Sequence, residues 1–218
     1  MLAVGAQMVF SGDPGRDPAA QPTAPAAGSP APSGTGQPGG SPGGEPLKLA
    51  RGARTERDMQ LEFPHDRTGA VSAGIEFWSQ LGSTLDPERA RWIGEKIADP
   101  SWENAGDDFA EGPRNTRRDL GLPLSGALPQ GASMTLGPVG WQVREESGDE
   151  VTVLVLAYVT TSTSQAGVQQ RLGVYPAKLH WSGGDWRMRD GGNGDYTSLA
   201  VAPGTPQAAA AGWQDFVV

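Results

Sequence analysis

Between Ser11 and Pro46 half of the residues are glycine or proline, nine of each, and no aromatic residue and no aliphatic larger than alanine occurs. Such a segment has no apolar surface to bury, so nothing offsets the entropy of ordering it. It predicts a flexible, partly polyproline-like linker. Any core must come from the residues after about Leu47, which hold all seven tryptophans. That remainder, roughly 170 residues, is long enough for one domain with a substantial interior. The expected organisation is an apolar start (1–10), a disordered Gly/Pro/Ala-rich linker (11–48), an α+β domain (49–200) and a C-terminal tail (201–218).

The start, MLAVGAQMVF, is about half the length of roughly 20 residues that spans a bilayer, and it lacks the charged region of a signal peptide. Two readings compete: a frayed terminus, or the last turns of a membrane helix that begins upstream. The long tether behind it favours the second, because such tethers hold folded domains away from membranes.

Net charge is −8 and the pI about 4.7, which argues against a nucleic-acid partner. The nearest basic cluster, Arg114, Arg117 and Arg118, is interleaved with Glu111 and Asp119 and reads as a solvated helix face. The absence of cysteine excludes disulfides, thiolate metal sites and cysteine nucleophiles.

Helical signals come first. Asp66 or Thr68 can cap a helix whose body runs from Ala70 to Leu81, with Val71, Ile75 and Trp78 on one face and Ala73, Phe77 and Leu81 beside them. Asp86-Pro87-Glu88 opens a second helix with a cap, a proline in the first turn and an acid near the dipole. Ala90, Trp92, Ile93 and Ile97 form its stripe, and Asp99-Pro100 stops it. A third helical region covers about 102–120, interrupted at Gly112-Pro113.

The period then switches to two. Residues 133–146, 150–163, 169–181 and 186–190 read as strands, with turns at Ser147-Gly148-Asp149 and Ser182-Gly183-Gly184-Asp185. The second, VTVLVLAYVTT, is apolar on both faces and is expected at the centre of the sheet, covered by helices on one side. Three helices followed by an antiparallel meander predict an α+β domain with the helices packed on a curved sheet of about four strands.

Chemical signatures are sparse. There is no phosphate-binding loop and no nucleophile elbow. His65 and His180 lack a second ligand at metal spacing; His180 reads as a sheet residue, solvated or hydrogen-bonded. Asp190 to Asp195, DGGNGD, falls one residue short of a calcium repeat and occurs once, so a glycine turn is expected. Glu145, Glu146, Asp149 and Glu150 read as a solvated turn. Asp107 or Asp108 could serve as a general base only if one pointed into a cavity; exposed helix acids are the simpler reading. Trp181 and Trp186 can stack across their hairpin, and Trp213 can pin the tail to the domain. No catalytic, cofactor-binding or metal-binding residue is assigned, and no cofactor.

FPHDRTGAVSAGIEFW (63–78), DPERARWIGEKIADP (86–100) and LHWSGGDWRM (179–188) together resemble a group of actinobacterial proteins tied to conjugative elements. In that group a membrane helix and a tether carry an extracytoplasmic domain similar to the nuclear transport factor 2-like, cystatin-like cone fold. The same fold serves assembly factors of type IV secretion channels. The resemblance covers about 59–190, and more weakly the GWQDF tail, and departs from the group in lacking a full membrane helix. It implies a non-enzymatic component of a conjugative apparatus, acting through protein partners and self-association on the extracytoplasmic side of the membrane. The alternatives are a cone-fold enzyme using Asp107 or Asp108 with Tyr158, Tyr175 or His180, and a small-ligand module. His65 is read as part of the helix entry, bonding the preceding loop.

Overall fold

A computed structural model describes residues 45–191 and 194–218. The apolar start and nearly all of the Gly/Pro linker lie outside the described residues, as do two positions of DGGNGD.

The chain opens with β1 (Leu47–Lys48) and a hairpin of β2 (Arg54–Glu56) and β3 (Met59–Leu61). Arg57 and Asp58, the two turn residues, both have positive φ, as the tight turns matched to strand twist require. The turn is held from outside: the Arg57 carbonyl accepts from Arg89 and the Asp58 carbonyl from Gln80. The Arg57 and Arg89 guanidinium groups also lie 4.8 and 4.7 Å from the ring centre of Trp92.

Three helices follow: α1 (Arg67–Leu81), α2 (Pro87–Ile97) and α3 (Ala105–Asp119). Asp66 caps α1, its carboxylate accepting from Gly69 N at 2.7 Å, and Asp86 caps α2 through Glu88 N. A Cβ on Gly69 would lie 1.9 Å from the Pro64 carbonyl oxygen, so the tight entry demands glycine there. The third helix is continuous through Pro113, rather than broken there.

The main sheet is antiparallel, in the order β4 (Ser133–Ser147), β5 (Glu150–Thr163), β6 (Gly167–Ser182), β7 (Asp185–Met188). β5 is central and fully buried from Val151 to Ala157. On one face Val151, Val153, Val155 and Ala157 meet Ala70, Val71, Ala73 and Phe77 of α1. α3 packs mainly on α2, where a Cβ on Gly94 would strike Phe109 and the Ala105 carbonyl. The helices therefore do not share the sheet equally: α1 crosses it, α2 meets it at β7, and α3 braces α2.

The other face has its own cover. Leu154 and Leu156 pack under Ala208 and Trp213, with Leu199, Val201 and Tyr196 around them. This strap contains a 3-10 turn (Thr197–Leu199) and the short α4 (Pro206–Ala210). Trp213 Nε1–H donates to the Leu199 carbonyl at 2.9 Å. Beyond it, Gln214 exchanges two backbone hydrogen bonds with Trp141, and β8 (Phe216–Val217) runs parallel to β1.

Candidate functional site

The polar side chains with the most specific geometry gather where the β6–β7 hairpin meets the ends of the helices. Asp185, 1% exposed, sits at their centre. Its carboxylate accepts from the backbone N–H groups of Glu62 (2.8 Å), Phe63 (3.1 Å) and Trp186 (2.9 Å). Glu62 has a φ of 61°, a strained value for a side-chain-bearing residue, and the Asp185 carboxylate holds it there. Trp186 Nε1–H donates to the Pro64 carbonyl at 2.9 Å. The hairpin thus clamps the whole entry to α1.

His65 stacks on Trp181 with ring centres 4.2 Å apart and planes 9° from parallel, and Trp181 meets Trp186 edge-on at 5.4 Å. His65 Nε2 lies 2.9 Å from Asp149 in the β4–β5 turn. The helix-entry reading stands geometrically, but His65 reaches a turn 84 residues away rather than the preceding loop.

A second histidine–aspartate pair lies across β6. His180 Nδ1 is 2.7 Å from Asp99 Oδ2, and Asp99 is almost fully buried just past α2. A carboxylate can only accept, so Nδ1–H is the donor. Asp99 Oδ1 accepts from the Ser101 hydroxyl (2.6 Å) and backbone N–H (3.0 Å), and Arg189 Nε lies 3.7 Å from Oδ2. Desolvation is the largest single influence on this carboxyl and works to raise its pKa. The hydrogen bonds from Ser101 and His180, with the Arg189 charge, together outweigh it and hold the group well below the usual carboxylate range. Beside the pair runs an open groove of about 480 Å³, lined by Glu95, Asp99, Trp102, Glu103, Ser182 and Arg187 among others.

The other candidates lie apart. Asp107 pairs with Arg91, and Asp108 accepts from Trp102 Nε1–H at 2.7 Å, both on the exposed side of α3. Tyr158 lies across from Gly137 and Leu172 on its neighbouring strands. Tyr175 packs against Trp78 at 5.4 Å, and burial pushes its phenol up to about 12. The partner that His180 finds is Asp99, which reads in sequence only as a helix stop. The one signal for it is the Asp-Pro-Ser order, which suits an aspartate capping the loop after it.

Two charged groups differ from expectation. Arg117 is not on a solvated face: it is 2% exposed and donates to the carbonyls of Leu85 (2.5 Å), Pro123 (3.0 Å) and Gly126 (3.1 Å). It gathers the loop between α3 and β4 by holding the Pro123 and Gly126 carbonyls. The acidic turn is also more than a solvated tip, since Asp149 reaches His65, Glu146 reaches Arg67 and Glu150 reaches Arg189. Asp195 accepts from Thr197 N at 2.9 Å, a bond to the first residue of the 3-10 turn. Among the described residues no group of three His, Asp or Glu side chains is placed to hold a metal, and no helix is long and apolar enough to cross a membrane.

Residues 50–214, from just before the β2–β3 hairpin to the strap, match a family described as a domain of unknown function, DUF8175. The chain belongs to this family. The matched span takes in Asp99, His180, Asp185 and Trp213, so both covers of the sheet are parts of the DUF8175 domain. No curated protein matches the chain. A 1.8 Å structure of Aln2 from a Streptomyces species is similar at 15% identity and a TM-score of 0.37, covering 52% of this chain and 80% of that one. A likeness at that level carries no argument about fold or function.

Proposed function

We propose that the DUF8175 domain of this chain is a non-enzymatic interaction module of a conjugative, type IV secretion-like apparatus, working through protein partners. In this reading three helices on a curved, cone-like sheet form a rigid body, and the Gly/Pro-rich linker tethers it to the extracytoplasmic face of a membrane. The observation that carries the proposal is what fills the space between helices and sheet. That interior is aliphatic and aromatic, from Phe77, Ile93 and Ile97 to Val153, Val155 and Trp186. The carboxylates buried near it are occupied: both Asp185 oxygens by backbone N–H groups, and Asp99 by Ser101 on one oxygen and the His180 imidazole on the other. Such a body offers surfaces and edges rather than a reaction chamber. The resemblance of 63–78, 86–100 and 179–188 supplies the conjugative setting. The test is deletion of the gene from the element that carries it: transfer frequency should fall and recover when the intact chain is supplied. Unchanged transfer would reject the setting.

One observation favours a second reading, an acid–base enzyme. The Asp99–His180 pair adjoins a groove with room for a small molecule. Under the leading reading, Asp99→Asn and His180→Gln change thermal stability and leave transfer intact. Loss of transfer in stably folded variants would favour the enzyme.

A further inference from the structure

β6 is 16 residues long, and β5 pairs with it from Gly167 to His180 without a register shift. β7 pairs only with its last four residues, from Leu179 to Ser182. Along the rest of that side no described strand lies beside it.

Which residues face this open side follows from three bonds. The Pro176 carbonyl accepts from Trp78 Nε1–H (3.0 Å) and the Lys178 carbonyl from Arg189 N–H (2.8 Å), both outside the β5 ladder. Trp181 N–H instead donates toward the β5 side, to the Asp149 carbonyl. Backbone groups alternate in direction along a strand, so even-numbered residues face outward. Val168, Gln170, Leu172 and Val174 therefore present a row of N–H and C=O groups that no backbone group among the described residues meets. Pro176, whose ring removes the next outward N–H, ends the row.

Natural sheets blunt such edges with lysines, prolines, bulges or a cover. Here the stretch GVQQRLGV has no acid and no bulge, and Val168 is 73% exposed. We infer that this edge pairs with the same edge of a second copy, antiparallel about a two-fold axis, joining two four-stranded sheets into one. The inference deepens the interaction-module reading and rests on it.

Charge selects the second copy as the occupant. Each chain carries −8, so two copies repel almost everywhere, yet no Asp or Glu occurs between Val151 and Gly184. The β6 edge is where two acidic molecules can meet without opposing carboxylates. A two-fold centred on Leu172 sets Gln170 against Val174 of the other copy and Arg171 against its Gly173. The two arginines are thereby offset, and about six backbone hydrogen bonds form.

The full chain tests this by sedimentation over a concentration series. A dimer is expected, and Gln170→Pro should weaken it about tenfold or more, because it deletes an outward N–H and leaves the β5 ladder intact. Leu172→Cys adds the sole thiol of a cysteine-free chain and should oxidise to a covalent dimer, since directly opposed residues lie within disulfide reach. Ser164→Cys, at the hairpin tip, should not. A wild-type chain that stays monomeric at about 100 µM overturns the inference, even if another protein's strand is later found on the edge. So does a dimer indifferent to Gln170→Pro and untrapped by Leu172→Cys. A wild-type chain that stays monomeric while its gene is required for transfer would retire the pairing and keep the proposed function; a dimer whose gene is dispensable for transfer would do the reverse.

Discussion

The two faces of the central sheet are both dry, but they are kept dry by different means. On one, α1 lays a row of small residues, Ala70, Ala73 and Gly74, against Val153 and Ala177, and fills the remaining space with Phe77. A helix satisfies its own backbone, so it can press on a sheet through side chains alone. On the other face the strap from Tyr196 to Trp213 has only a 3-10 turn and a five-residue helix. Its backbone bonds are short and local, and the chain is anchored just past it, by Gln214 on Trp141 and by β8 on β1. The helix face is therefore a core in its own right, whereas the strap is a lid held at its end by strand-like bonds.

Substitutions should separate the two. The largest effect is expected for Phe77→Ala, about 3–5 kcal/mol of lost stability, because a fully buried ring leaves a cavity that helix and sheet cannot close. Urea denaturation of the full chain reads it as one cooperative shift. Trp213→Ala should cost less, about 2–3 kcal/mol, and act locally. Hydrogen exchange would rise across 196–217 while the amides of α1 stay protected. Equal exchange on both faces would break the comparison.

Asp99 joins the end of α2 to β6, so it sharpens the comparison through pH. Its folded pKa lies below the unfolded value, so the stability it contributes is fully present above the unfolded carboxylate pKa of about 4 and is lost as pH falls through the folded value. Asp99→Asn should flatten the acid limb of a stability-against-pH curve below about pH 4 and lower the plateau at pH 7. An unchanged acid limb would remove Asp99 from the account. The smallest effect is expected at His65, which is exposed despite its stacking and its bond to Asp149: His65→Ala should cost at most about 1 kcal/mol in thermal unfolding.

Local rules carried far in this chain. The caps Asp66 and Asp86, the proline opening α2 and the glycine turns of the meander are short-range devices, so the helices and strands they bound could be read directly. The third helix was legible except at Gly112-Pro113, where packing on α2 carries the helix through a residue that breaks isolated helices. The candidate site was hardly legible. His65 meets Asp149 over 84 positions, His180 meets Asp99 over 81, and Asp185 meets Phe63 over 122. No periodicity or spacing rule spans such distances.

The sequence by itself determined the order of the three long helices and the four strands of the main sheet, the central place of an apolar β5 and the exclusion of thiol chemistry, but not the β2–β3 hairpin that precedes the helices. Those follow from residue type and near-neighbour geometry. Only the tertiary structure decided which carboxylates are buried and what holds them, and that the C-terminal strap closes the second face. It also decided that Arg117 is interior and that no described strand pairs with the outer edge of β6 before Leu179. Each of these depends on which groups remain unsatisfied once distant segments have met, a quantity that no segment carries alone.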